Sequence, residues 1–191
     1  MTLLNSNPLP SASDPDLQRL QRLSRLLALT CWALIMVLPL LFVWFWAAAT
    51  PAQLAARLNL NADIVQGQLM VWQRVVGLCI SAVPLGLLLA GLWQARTCFG
   101  LFARGEVFTL PAVVALKRFA RLSTASFASS FLVSTALSTL LSINNMPGTR
   151  QVVIGVSTYQ IIALFFAGMV WLMAAVIAQG LHLAEENANF V

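Results

Sequence analysis

The feature that most constrains this chain is an apolar run of 24 residues, from Leu26 to Ala49, that contains no charged side chain. A helix needs about 20 mostly apolar residues to cross the hydrocarbon core of a bilayer. The apolar core of a cleaved signal peptide has only about 7–15 residues. The run therefore predicts an uncleaved membrane-spanning helix.

Three further segments have the same apolar character, so the sequence predicts spans at about 26–49, 75–94, 119–142 and 157–179. Charged residues make up 9% of the chain, whereas a soluble domain carries about 25%. A transmembrane β-barrel would need alternating segments of about 10 residues, which the sequence lacks. We expect an all-α integral membrane protein in which residues 14–191 form one four-helix domain. Residues 1–13 have no hydrophobic period and are expected to form a disordered cytoplasmic tail.

The distribution of Lys and Arg predicts the orientation of these spans. Eight of the eleven basic residues flank one set of span ends: Arg19, Arg22, Arg25, Arg96, Arg104, Lys117, Arg118 and Arg121. Three flank the other set: Arg57, Arg74 and Arg150. Basic residues concentrate in cytoplasmic loops, so two hairpins of spans with both termini in the cytoplasm are expected. Amphipathic aromatic rings favour the membrane surface, and four stand at the predicted outer ends: Trp44, Trp46, Trp72 and Tyr159.

Basic amphipathic turns precede the first and third spans. Leu, Arg, Arg and Leu occupy the same four of seven positions in "LQRLSRL", residues 20–26, and "LKRFARL", residues 116–122. Each motif leads into a span that is expected to run outward and is followed by a returning span. The similarity favours a duplicated hairpin, although short basic amphipathic motifs also match by chance.

The segment between the second and third spans has the signals of a turn followed by a helix. Gly105 is suited to a turn, and Thr109 is a candidate N-cap before a helix from Leu110 to Ser142. Such a helix would be about 50 Å long, against about 30 Å of hydrocarbon. Its first three turns should therefore lie at the inner headgroup layer, where each basic residue gains about 1 kcal/mol from anionic lipid. The basic residues of these turns are Lys117, Arg118 and Arg121.

The third span carries an unusual number of hydroxyl side chains. Four serines recur every four residues and share one sector of the helix, about 120° wide: Ser126, Ser130, Ser134 and Ser138. Small residues at this spacing favour close helix packing with hydrogen bonds between helices. The alternative is that the serine face lines a hydrated path.

No catalytic, metal-binding or cofactor-binding constellation is recognisable in the sequence. His182 is the only histidine, and Cys31, Cys79 and Cys98 have no paired spacing. Glu185 and Glu186 are the only adjacent carboxylates, and they are expected in a solvated tail. We therefore expect neither an enzyme nor a cofactor. The net charge of +5 is explained by orientation, so direct nucleic-acid binding is not expected.

Two stretches, "LFARGEVFTLPAVVALKRFARL" and "AQGLHLAEENANFV", resemble a bacterial membrane family known as domain of unknown function 2975. The matching positions are Phe102, Gly105, Phe108, Thr109, Arg118, Leu183, Glu185, Glu186 and Asn187. The ending "NANFV" departs from the Leu-Thr-Val ending that is frequent in the family. The resemblance implies four spans and a bacterial inner-membrane location. It also implies a cytoplasmic transcriptional regulator of the helix-turn-helix type as partner, and it supplies no reaction.

These observations predict a regulatory or interaction module whose basic inner face contacts membrane lipid or a cytoplasmic partner. The alternative is a small transporter or channel subunit that uses the serine face of the third span. "GEVFT", which includes Glu106, is not required by topology and is a candidate interaction motif. The acidic pair Glu185 and Glu186 is a candidate partner for the basic residues of the same side. Four short spans bury little surface against one another, which leaves room for a homodimer.

Overall fold

The computed structural model describes residues 15–50, 52–54, 70–106, 109–142 and 158–188, and this part of the chain is helical with no strand. Four long helices account for most of it. They are α1 (Pro15–Ala48), α2 (Val71–Phe102), α3 (Leu110–Ser142) and α4 (Thr158–Ala188). All four are long and apolar enough to cross a membrane. The prediction of an all-α protein with four membrane-spanning helices agrees with this architecture.

The helices extend beyond the predicted spans. α1 begins at Pro15, where a proline is favoured because the first helical N–H has no partner inside the helix. α3 covers the full range expected from its start and stop signals. The expected tail at 1–13 and the segments at 55–69 and 143–157 lie outside the described residues.

The surface of the bundle is largely apolar. Leu40 is 71% exposed and Leu132 is 75% exposed, and both lie in the middle of their helices. A water-soluble protein rarely exposes large continuous apolar patches, whereas hydrocarbon is a suitable solvent for such a surface. The free thiol of Cys79 is also exposed, while those of Cys31 and Cys98 are buried.

Helices that follow one another in the sequence pack together: α1 on α2, α2 on α3, and α3 on α4. The most extensive of these interfaces lies between α2 and α3. Ser126 of α3 donates a hydrogen bond to the carbonyl of Pro84 in α2, and Gln73 near the start of α2 donates to Leu140 near the end of α3. The order of these contacts shows that α2 and α3 are antiparallel.

The best packed region lies where the end of α1 meets the start of α2 and the end of α3. Its buried core consists of Trp46, Ala49, Leu54, Leu137 and Leu141. Trp46 lies against Gly77 of α2, where a Cβ atom would be only 2.6 Å from Cζ3 of the indole ring. The glycine therefore provides the space that the ring occupies. Trp46 is 5% exposed, whereas Trp44 and Trp72 are exposed, and the predicted position of these rings at the membrane surface stays a prediction.

Hydrogen bonds of the Arg74 side chain also join two helices in this region. Arg74 donates hydrogen bonds to the carbonyl oxygens of Trp46 and Ala47, at 3.2 and 2.9 Å. These carbonyls belong to the last turn of α1, which has no basic residue of its own. A cation at a helix C-terminus satisfies unpaired carbonyls and interacts favourably with the helix dipole. Arg74 thus joins the start of α2 to the end of α1.

A short turn after α1 has its own cap. The amide of Thr50 donates to Oε1 of Gln53, and the amide of Gln53 donates to Oγ1 of Thr50. This reciprocal pair is a capping box, and residues 52–54 form the helical turn that follows it.

Candidate functional site

The turn after α2 is built around Gly105. This residue has φ +85°, a backbone conformation that residues with a Cβ atom rarely adopt. The amide of Gly105 donates to Phe102 and the amide of Glu106 donates to Leu101, which is the hydrogen-bond pattern of a Schellman motif. The glycine predicted to form a turn is thus the residue that ends α2. Part of "GEVFT" therefore has a structural role.

The same turn contacts both neighbouring helices. A Cβ atom on Gly105 would lie 3.4 Å from Nε2 of Gln21 in α1, so the turn lies beside the start of that helix. Thr109 occupies the predicted N-cap position of α3, because its carbonyl accepts the first helical hydrogen bond from Val113. Its hydroxyl, however, donates to the carbonyl of Glu106 rather than accepting from an amide of α3. Phe108 lies outside the described residues.

The start of α3 presents most of its charge outward. Arg118 and Arg121 are exposed, Lys117 is half-buried, and Ala120 between them is completely buried. Among the residues whose side chains the structure describes, Glu106 is the one carboxylate, and it is exposed and forms no ion pair with them. The basic side chains are therefore available to an external anion.

The two similar heptads have similar burial. In "LQRLSRL" both arginines are exposed and Ser24 is 3% exposed, and in "LKRFARL" both arginines are exposed and Ala120 is 0% exposed. The small residue at the fifth position thus faces the bundle in both motifs. Both motifs therefore turn their arginines away from the bundle and their fifth residue towards it. However, the most extensive helix interface, α2 on α3, joins the two proposed halves rather than lying within one.

Arg96 forms a feature that the sequence analysis used only to predict orientation. Its guanidinium carbon lies 5.6 Å from the ring centroid of Trp32 in α1 and 5.2 Å from that of Trp93 in α2. Contacts of this kind are cation–π interactions. Arg96 and Arg104 both line a notch of about 290 Å³. The sequence signal for the cation–π contact is an arginine three residues after a tryptophan, near the end of an apolar helix.

The serine face of α3 is divided between two environments. Ser126 is buried and donates to α2, at 2.6 Å from the carbonyl oxygen of Pro84. Ser130 and Ser134 donate to carbonyls of their own helix and line a cavity of about 270 Å³, which Gln160 of α4 also lines. Nε2 of Gln160 donates to Oγ of Ser130 at 2.8 Å. Ser138 is buried and donates to the carbonyl of Thr135.

Two buried hydroxyls of this region have no hydrogen-bond partner within the described part of the chain, those of Ser81 and Ser123. Ser81 lines the 270 Å³ cavity. Ser123 lies beside Gly91, where a Cβ atom would be 3.4 Å from the serine oxygen, so α2 and α3 approach closely there. The hydroxyl face therefore combines helix contacts with the wall of a cavity.

The acidic motif near the end of the chain belongs to a helix. α4 continues to Ala188 and includes Glu185, Glu186 and Asn187, so the expected tail is helical, and its solvation stays a prediction. Ala, Leu and Glu have high helix propensity, which explains the continuation beyond the apolar segment. The side chains of these residues and of Leu183 are outside the description. Their pairing with the basic residues stays a hypothesis.

Within the described ranges, no group of three or more His, Cys, Asp or Glu residues is arranged to hold a metal ion. The expectations of no enzyme activity and no cofactor stay predictions. Comparison of the chain with known protein families, with curated proteins and with solved structures finds no match. The resemblance to domain of unknown function 2975 therefore rests on the residues quoted for it.

Proposed function

We propose that this protein is a multi-pass protein of the bacterial inner membrane, with two hairpins of spans and both termini in the cytoplasm. The proposal is supported by the charge distribution together with the packing. Arg96 near the end of α2 contacts Trp32 in α1, whereas Arg74 near the start of α2 contacts the end of α1. The two helices are thus antiparallel, as α2 and α3 are. The basic ends of α1, α2 and α3 consequently share one side of the bundle, and basic residues favour the cytoplasmic side.

We further propose that the protein is a regulatory or interaction module that presents this basic face to a cytoplasmic partner. The observation that carries the proposal is the outward position of Arg118 and Arg121 beside half-buried Lys117, without a described carboxylate to neutralise them. Complementary charge speeds encounter and selects among partners. A partner with an acidic surface fits this face.

The resemblance described above suggests a helix-turn-helix regulator as this partner. Binding at the membrane would hold such a regulator away from DNA without any nucleic-acid contact by this chain. A homodimer of the membrane protein stays a prediction, and it is compatible with this role.

Crosslinking followed by purification from native membranes tests the proposal. We expect a soluble cytoplasmic protein to be recovered with the wild-type chain and lost when Lys117, Arg118 and Arg121 are all changed to Gln. The matched control changes Lys117 to Arg and the two arginines to Lys, which preserves charge and should preserve capture. Equal capture by the Gln variant and the wild type would contradict the proposal, as would recovery of no cytoplasmic protein from wild-type membranes.

A transporter or channel subunit is the second candidate, and the cavity beside Ser130 and Ser134 is the observation that favours it. Solute flux into liposomes containing the purified chain is the relevant measurement. Ser134→Leu should abolish flux, because it fills the cavity without removing the Gln160–Ser130 hydrogen bond. Leu132→Ile on the exposed face is the control. Absence of flux in the wild type would eliminate this candidate.

A further inference from the structure

The notch between α1 and α2 combines two arginines with small side chains. It is lined by Ala28, Arg96, Thr97, Gly100, Leu101 and Arg104. No heavy atom lies within 4 Å of the position that a Cβ atom on Gly100 would take, so the small residues leave open space between the two arginines. The volume of about 290 Å³ is several times the roughly 30 Å³ that a water molecule occupies in the liquid. A small anionic group can therefore enter.

The two arginines of the notch lack hydrogen-bond acceptors. Each guanidinium carries five N–H donors, yet neither the Arg96 nor the Arg104 side chain forms a hydrogen bond or ion pair within the described part of the chain. The rings of Trp32 and Trp93 attract the Arg96 cation, but they leave its N–H donors unpaired. A partly desolvated guanidinium without an acceptor is unfavourable, so the arrangement favours an external anion.

The position of the notch indicates which anion is available. Arg96 lies near the end of the apolar helix α2, and Arg104 lies in the turn just beyond that helix. The indole rings of Trp32 and Trp93 are both partly exposed, as is usual for tryptophans at the level of the lipid headgroups. The acceptor that a bilayer offers at this depth is phosphate, and the planar fork of an arginine matches phosphate geometry.

We propose that this notch binds the phosphate group of an anionic phospholipid, with Arg96 and Arg104 as its ligands. Thr97 and Gly100 line the space between them, and the acyl chains lie along the exposed apolar surface of α1 and α2. The site requires a bilayer but not a particular orientation, since both leaflets carry phosphate. It also does not depend on the proposed cytoplasmic partner.

Native mass spectrometry of the full chain tests this site. The purified protein is incubated with equal amounts of phosphatidylglycerol and phosphatidylcholine, and the ratio of the two bound lipids is measured. The double variant with Arg96→Gln and Arg104→Gln should lower the retention of phosphatidylglycerol about 30-fold, because two charge-assisted contacts of about 1 kcal/mol net each are lost. Arg104→Gln alone should lower it about fivefold. Arg104 is exposed and forms no described contact that supports the fold.

The matched control is the double variant Arg118→Gln with Arg121→Gln, which removes the same charge from the same end of the bundle but outside the notch. It should change retention less than about threefold, because the gain of these two arginines comes from the surface potential of an anionic bilayer, which a detergent micelle does not have. Equal losses in the two double variants would show a general effect of surface charge and would overturn the site. Soluble glycerol phosphate distinguishes the two sources of phosphate. Continued retention of the lipid at millimolar glycerol phosphate supports a headgroup site, whereas its displacement would overturn the assignment to lipid.

Discussion

The two ends of the bundle use the same residue types in opposite ways. At the end built around Trp46, the indole ring is buried against Gly77 and Arg74 donates to carbonyls of α1. At the end built around Arg96, the rings of Trp32 and Trp93 are partly exposed and the arginine has no described acceptor. The first end holds helices together with internal partners. The second leaves its cations for partners outside the chain.

The buried ring at the Trp46 end should be the largest single contribution to stability. Trp46→Ala is expected to lower the free energy of unfolding by about 3 kcal/mol, the lower end of the range for burying an aromatic side chain. The lower end applies because lipid tails already surround the ring with hydrocarbon in the separated helices. Equilibrium unfolding in mixed detergent micelles measures the change.

Trp44→Ala provides the control, since Trp44 lies two residues away in the same helix and is 68% exposed. Its effect should stay within about 0.5 kcal/mol. Equal losses of stability in the two variants would contradict the claim that internal packing holds the Trp46 end together.

Gly77 should be the second most sensitive position of the Trp46 end. Gly77→Ala places a methyl group where the indole ring lies, and overpacking of this kind is expected to destabilise by about 1–3 kcal/mol. Gly86→Ala is the control, because no heavy atom lies within 4 Å of its Cβ position, and alanine is the better helix former. It should be neutral or slightly stabilising in the same unfolding measurement.

A double-mutant cycle tests the contact itself. In a chain that already carries Trp46→Ala, the change of Gly77 to Ala should cost almost nothing, because the two residues share one contact. Additive losses of stability would indicate that the glycine serves another neighbour.

Much of this fold could be predicted from the sequence because the signals are local. Apolar run lengths predict the four helices, and Thr109 and Leu110 predict where α3 begins. The different positions of Trp44 and Trp46 could not be predicted, since both flank the same span. The choice depends on Gly77, which lies 31 residues further along the chain. Likewise, the charge of Arg96 was evident, but its position between two tryptophans depends on the packing of α1 on α2.

Arg74 gives a smaller test of the comparison between the two ends. Arg74→Gln should remove one of the two hydrogen bonds to the last turn of α1, and a hydrogen bond from a charged group contributes about 1.5–3 kcal/mol. The loss falls towards the lower figure because Gln can still reach one carbonyl. Arg104→Gln, at the other end, should leave the unfolding midpoint unchanged in detergent without lipid. A loss at Arg104 equal to that at Arg74 would mean that both ends depend on internal pairing.

Changes at Gly105 should have the smallest effect on stability. They also test whether lipid binding at the Arg96 end depends on the turn that ends α2. Gly105→Ala forces a residue with a Cβ atom into a left-handed conformation, at φ +85°, which should cost about 1–2 kcal/mol. Asn tolerates this conformation better than Ala, so Gly105→Asn should lose less. The order Gly, Asn, Ala in unfolding midpoint is the expected result, and Gly168→Ala, with open space at its Cβ position, is the control.

Because Gly105 ends α2 and lies next to Arg104, the same variants should also weaken lipid retention in that order. Full retention by the alanine variant would show that the notch does not need the turn, and an equal midpoint for all three residues would show that the left-handed conformation contributes nothing to the stability of this end.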